Sequence, residues 1–216
     1  MKWARMKRVA LLLAAFLAAP ALAHDGEDHG SQEEALKHLS EAPLDGDATP
    51  FPADLGGPFA LIDQTGATRT EADPNGAYQL FFFGYANCPA ICSVAMPRMG
   101  EIADIAAAAG LSVTPVMITV DPERDTPENM AEPLAKYHAD MIGLTGSEAQ
   151  LAEVRDHFQV ERKLVFEDPE YGPIFAHGSF IYLMSPEGEM LTLFPPIISP
   201  ERGAEIVAKY AVAAEG

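Results

Sequence analysis

Two of the 216 residues are cysteine and one is tryptophan, and 14 lysines and arginines face 32 aspartates and glutamates. So few cysteines exclude a disulfide-framed scaffold; stability must come from an apolar core, and 48% hydrophobic residues supply one for a single domain. The shortage of positive charge, with a formal net charge of −18, makes nucleic acid an implausible partner. No apolar run approaches the ~20 residues that cross a bilayer. No internal repeat is visible.

The longest apolar run, residues 9–19, follows Lys2, Arg5, Lys7 and Arg8 and precedes the small-x-small triplet Ala21-Leu22-Ala23. That is the pattern of a secretory signal peptide, residues 1–23, cleaved after Ala23. Localisation should therefore be periplasmic, with the membrane reached only through a partner or an uncleaved signal. Cleavage removes four of the 14 basic residues and no acidic one, taking the charge to −22. Thiols exported in this way oxidise unless a reductant or a metal protects them.

Residues 24–58 read as a flexible acidic tail, polar at first with His24 and His29, then dense in Pro, Gly, Asp and Ala. Ser31 with Glu34 allows a short capped helix over 31–39. The globular domain spans 59–216. Its first elements are a hairpin, 59–63 with 67–70, and a buried strand, 78–84. A helix over 89–109, interrupted by Pro97, and a strand over 112–120 complete a parallel strand–helix–strand unit, whose ligand end is where the strands finish. Beyond it come helices over 128–138 and, capped by Ser147 and Gln150, up to 158. A strand at 160–166, a polar loop at 167–178, a hairpin of 180–184 with 190–194 and a helix from Pro200 follow. The fold class is α/β, with a central mixed sheet flanked by helices.

Both cysteines stand where the first buried strand gives way to a helix, in Gly84-Tyr85-Ala86-Asn87-Cys88-Pro89-Ala90-Ile91-Cys92. An i, i+4 pair inside a first helical turn shares one face, and unpaired amides at a helix N-terminus favour thiolate over thiol. Such a pair can close a redox-active disulfide or hold a soft metal. His177, between a polar loop and a strand, is the histidine best placed to project over it. His138 and His157 are expected at the surface or as helix-end groups, and Met96, Met99, Met117, Met130 and Met141 as core. Asp121 and Asp125 follow the end of strand 112–120. They cap the next helix, or supply carboxylates that support the site or recognise a partner.

The cysteine segment resembles the SCO/SenC family. So do Thr119-Val120-Asp121-Pro122-Glu123-Arg124-Asp125-Thr126-Pro127, Gly143-Leu144-Thr145-Gly146 and His177-Gly178-Ser179-Phe180-Ile181-Tyr182-Leu183, and the resemblance spans about 59–210. It implies a thioredoxin-like fold carrying an N-terminal hairpin extension. It also implies that copper, as Cu(I) or Cu(II), is bound by Cys88, Cys92 and His177. Two thiolates and an imidazole suit Cu(I) and can hold Cu(II). Ser93, where family members often have proline, and Ala176, where many have aspartate, depart from the pattern without removing a ligand.

The implied function is delivery of copper to the binuclear centre of cytochrome c oxidase during assembly. Partners would be the copper-centre subunit, an upstream copper donor and a thioredoxin-type thiol reductant. The alternative is enzymatic: a thiol-disulfide reductase using Cys88 and Cys92 to keep the oxidase's copper cysteines reduced. Thioredoxin-like oxidoreductases normally separate the pair by two residues, whereas this chain has three between them, which favours metal.

Overall fold

The computed structural model describes residues 55–214. The expected signal peptide, the helix expected over 31–39 and nearly all of the expected acidic tail lie outside the described residues.

The centre of the domain is β3 (Tyr78–Gly84), whose Tyr-Gln-Leu-Phe-Phe-Phe-Gly run is buried on both faces. Such a run belongs inside a covered sheet. β3 pairs in parallel with β4 (Val113–Thr119), from Tyr78↔Val113 to Gly84↔Thr119, and antiparallel with β8 (Ile181–Met184). Beyond β8 lies β9 (Met190–Phe194). On the other side, β5 (Ile142–Thr145) is parallel to β4 and pairs with β1 (Leu61–Asp63), which forms the expected N-terminal hairpin with β2 (Thr68–Arg69). The sheet order is β2-β1-β5-β4-β3-β8-β9. Helices α1 (Cys92–Ala108), α2 (Pro127–Ala135), α3 (Glu148–His157) and α4 (Pro200–Ala214) flank it. The architecture is the mixed, thioredoxin-like α/β fold.

The two faces of β3 serve different ends. Phe81 and Phe83 reach Phe158 at ring separations of 6.0 and 5.5 Å, and Phe158 reaches Tyr182 at 5.2 Å, so one face carries an aromatic core. Phe82 and Gly84 face the other side, against His177 and Cys92. The five methionines expected in the core are buried there, none more than 2% exposed.

Three elements differ from expectation. β5 is too short to show a period, and its Gly143 reads as a turn; a Cβ there would fall 2.4 Å from Leu134, so glycine lets α2 pack close. Helix α1 begins at Cys92 instead of Pro89, and Pro97 lies inside it. The strand expected over 160–166 is β6 (Arg162–Asp168), but the segment expected as a polar loop supplies its partner, β7 (Gly172–His177), and the two form an antiparallel hairpin separate from the main sheet, with Arg162 opposite His177. Asp168 accepts the Glu170 and Tyr171 amides at the turn, and Gly172 takes a left-handed φ of 71°. Gly172 and Pro173 look like loop residues in sequence, yet a proline is tolerated in a two-stranded ribbon because each strand is an edge.

Candidate metal centre

The strand end of β3 delivers the first thiol. After Gly84 the chain turns, with the Cys88 amide donating to the Tyr85 carbonyl at 3.2 Å, and four residues further on α1 opens at Cys92. Only Cys92 is therefore helical; Cys88 sits in the loop that leads in. Ser93, the departure from the family pattern, donates its hydroxyl to the Ala90 carbonyl at 2.7 Å and so serves the helix entry. Gly84 is required by closeness: a Cβ there would stand 2.8 Å from the Phe82 ring and 3.2 Å from the Cys92 sulfur.

His177, the last residue of β7, brings the third donor, 85 residues along the chain from Cys92. Its Nε2 lies 3.8 Å from the Cys92 Sγ, and one donor atom from each of Cys88, Cys92 and His177 lies within 4.8 Å of the others. An ion held about 2.0–2.3 Å from nitrogen and sulfur spans donor separations of roughly 3.5–4.6 Å, so the trio needs only a slight closing to bind one. The ring orientation is set as well. The His177 Nδ1 is 2.8 Å from the Gly178 carbonyl, an acceptor, so Nδ1 carries the hydrogen and the Nε2 lone pair faces the sulfurs. Phe82 and Tyr85 wall the imidazole edge-on at 5.9 and 6.0 Å.

The two thiols are free and unequal. Hydrogen bonding from the Cys92 thiol pulls the Cys88 pKa far below its ordinary value against the opposing effect of burial, with the Ala90 and Cys92 amides adding to it. Burial, then the bond donated to Cys88 and its charge, push Cys92 far up. The pair thus holds one thiolate and one proton, and a metal ion that takes both sulfurs displaces that proton.

Two arginines that sequence reasoning passed over seat the hairpin carrying His177. Arg124 pairs with Asp121, donates to the carbonyls of Tyr171 and, at 2.9 Å, of Pro173, and stands 5.4 Å from the centre of the Tyr85 ring. Arg162 donates to the Val120 carbonyl and stacks on Phe175 at 4.1 Å. Arg124 lay within a quoted motif; its role depends on a hairpin the sequence did not reveal.

Asp121 and Asp125 are each 2% exposed. Asp121 anchors Arg124. Asp125 accepts the Thr119 hydroxyl at 2.6 Å and the Ala86 amide at 3.0 Å, tying the end of β4 to the turn before Cys88. Neither carboxylate faces solvent. His138 lies three residues past α2, with its Nδ1 accepting the Asp140 amide and its Nε2 near Asp104. His157 ends α3 as expected, half-buried, with its Nδ1 buried and unpaired, and a Cβ at Gly57 would meet it at 2.8 Å.

Burial pushes Asp125 up to about 6, against the pull of Thr119 and Ala86. A carboxyl raised from about 3.9 in the unfolded chain stabilises the fold fully below that value, and the contribution disappears as pH rises through about 6. The size is on the order of 2–3 kcal/mol. Asparagine can accept both bonds without titrating. Urea unfolding of Asp125→Asn and wild type at pH 4, 5, 6 and 7 should show wild type losing stability relative to the variant across this window. Parallel pH profiles would refute the assignment.

Two thiols and an oriented imidazole at the end of the central strand of a thioredoxin-like domain define a protein able to hold a soft metal ion or to exchange disulfides. The family model described as SCO1/SenC matches residues 47–212. A SCO2-like protein of Rickettsia conorii is 38% identical over 156 residues, covering 71% of this chain and 75% of that relative. Among solved structures, copper-bound ScoI of Arabidopsis thaliana superposes with a TM-score of 0.67 at 30% identity, covering 73% of this chain and 99% of that one. Copper-bound ScoI of Bradyrhizobium japonicum gives 0.64 at 34% identity, covering 72% and 99%. The chain belongs to the SCO1/SenC family.

Proposed function

We propose that this protein is a periplasmic copper metallochaperone. It takes up one copper ion through Cys88, Cys92 and His177 and delivers it to the binuclear centre of cytochrome c oxidase during assembly. The observation that carries this reading is the convergence of two sulfurs and an imidazole whose free lone pair is turned toward them. Soft sulfur donors with one nitrogen select Cu(I) over hard cations. Copper-bound relatives of the same fold support the choice of metal.

In this reading residues 1–23 direct export, 24–58 form the acidic tail and the copper domain begins near 59. No helix among the described residues is long and apolar enough to cross a membrane. Copper arrives from an upstream donor and leaves by ligand exchange to the copper-centre subunit, and a thioredoxin-type reductant keeps the pair reduced. The Cys88 thiolate beside a buried, protonated Cys92 also favours a second reading, a thiol-disulfide reductase with Cys88 attacking and Cys92 resolving.

An anaerobic Cu(I) titration of the reduced protein against a competing chelator decides between them. One equivalent should be held by wild type, and His177→Ala should weaken binding by at least about 10–100-fold, the cost already seen on losing a mere outer partner of a ligand, with unchanged circular dichroism. Unchanged retention in His177→Ala would sink the three-donor site. Absent binding, with a readily reversible Cys88–Cys92 disulfide, would favour the reductase.

A further inference from the structure

The hairpin that carries His177 is lopsided. β7 lies against the domain, where Phe175 meets Tyr85 edge-on at 6.0 Å and His177 reaches Cys92, but β6 stands outside it and pairs, among the described residues, with β7 alone. Leu164, Val165 and Phe166 in β6 are 48, 57 and 53% exposed. Successive side chains of a strand point to opposite faces, so three exposed in a row leave both faces of β6 uncovered. Tyr171 at the turn and Phe180 just past His177 are exposed as well, which puts five of the ten large hydrophobic side chains exposed among the described residues on this hairpin or within three residues of it. Apolar side chains scattered singly over a surface are ordinary; half of them gathered at one place mark a contact surface. Lys163 and Ala176 of the hairpin line an open groove together with His177 and Phe180, so the apolar patch borders the metal donors.

We infer, resting on the copper-delivery reading, that the outer strand of this hairpin, with Phe180, is the docking surface for the protein that takes the copper, and that this acceptor presents an apolar patch rimmed by lysine or arginine. Ligand exchange brings a donor of the acceptor to about 2.0–2.3 Å from an ion still held here. Cys88 and Cys92 are buried and His177 is the half-buried donor, so the acceptor reaches the ion from the His177 side and comes down against the hairpin. The charge at the turn selects the occupant. Glu167, Asp168 and Glu170 stand there, Arg124 beneath them is paired with Asp121, and Arg162 is turned inward onto Phe175 and the Val120 carbonyl. A second copy of this chain, at a formal charge of −18, or its own acidic segment before residue 55 would bring further negative charge, whereas a basic rim is attracted. Aromatic anchors in an apolar centre, with charges around it, are the composition of protein interfaces.

The test loads the reduced protein with one equivalent of Cu(I) and mixes it anaerobically with the reduced, metal-free soluble copper-centre domain of the oxidase subunit. Copper in the acceptor is measured over time after separation by anion exchange. Val165→Ser combined with Phe166→Ser should slow transfer by about tenfold or more, as expected on losing an interface anchor. Chelator competition should give variant and wild type the same affinity for Cu(I), and circular dichroism the same fold. Raised salt should slow wild type too, because screening weakens the attraction between the acids at the turn and the acceptor's cations, and salt-independent transfer overturns the basic rim. Transfer by the double variant at the wild-type rate overturns the docking surface and leaves copper delivery standing. Transfer by neither protein overturns the delivery reading and the docking surface with it. Sedimentation of wild type should show a monomer; a dimer that the two substitutions dissolve would give the face to a second copy and overturn the proposal.

Discussion

Cys92→Ser is expected to abolish tight Cu(I) binding, weakening it by well over about 100-fold, more than the 10–100-fold typical of losing an outer partner of a ligand. Cys92 is fully buried at the first residue of α1, with its sulfur packed near Gly84 and across from the His177 nitrogen. A serine oxygen there is both the wrong donor and badly placed. It is hard where Cu(I) wants soft, and its shorter bond to Cβ draws it away from the ion. Chelator competition on the folded variant reads the effect directly; affinity within threefold of wild type would show that Cys92 is not a ligand. Cys88→Ser should fail in the same assay.

Phe158→Ala should be the most damaging core substitution, costing about 3–5 kcal/mol. Phe158 is 1% exposed and joins Phe81, Phe83 and Tyr182 in one ring cluster at 5.2–6.0 Å. Truncation leaves a cavity that the rigid rings cannot fill. For a protein of this size each kcal/mol lowers Tm by about 2–4 °C, so calorimetry should show a fall of roughly 6–20 °C. Copper stoichiometry of the still-folded variant should stay at that of wild type, because the ring cluster and the donor atoms occupy opposite faces of β3. A fall in Tm under 3 °C would place the cluster outside the core, and loss of copper at temperatures where the variant is folded would show that the two faces are coupled.

Local signals were readable along the chain. The apolar run of β3 and the start of α4 at Pro200 coincide with the expected elements, and the capping box of Ser147 and Gln150 is formed in both directions. The spacing of Cys88 and Cys92, with the family resemblance around His177, singled out the three residues whose donor atoms converge. The loop histidine turned out to end a strand. Nothing local announced β7, because Gly172 and Pro173 mask its pattern and its one strand neighbour is β6.

The linear order of residues was enough to establish an acidic charge, one apolar-cored α/β domain and a thiol pair at a strand-to-helix junction, since each rests on composition, periodicity, capping or spacing within a few residues. Packing supplied the rest. The approach of His177 to Cys92, the clamping of its hairpin by Arg124 and Arg162, the burial that raises Asp125 and the orphaned hydroxyl of Tyr85 all involve groups far apart in the chain. Desolvation and hydrogen-bond geometry act through space, so they come into being only when the sheet and the hairpin close on one another.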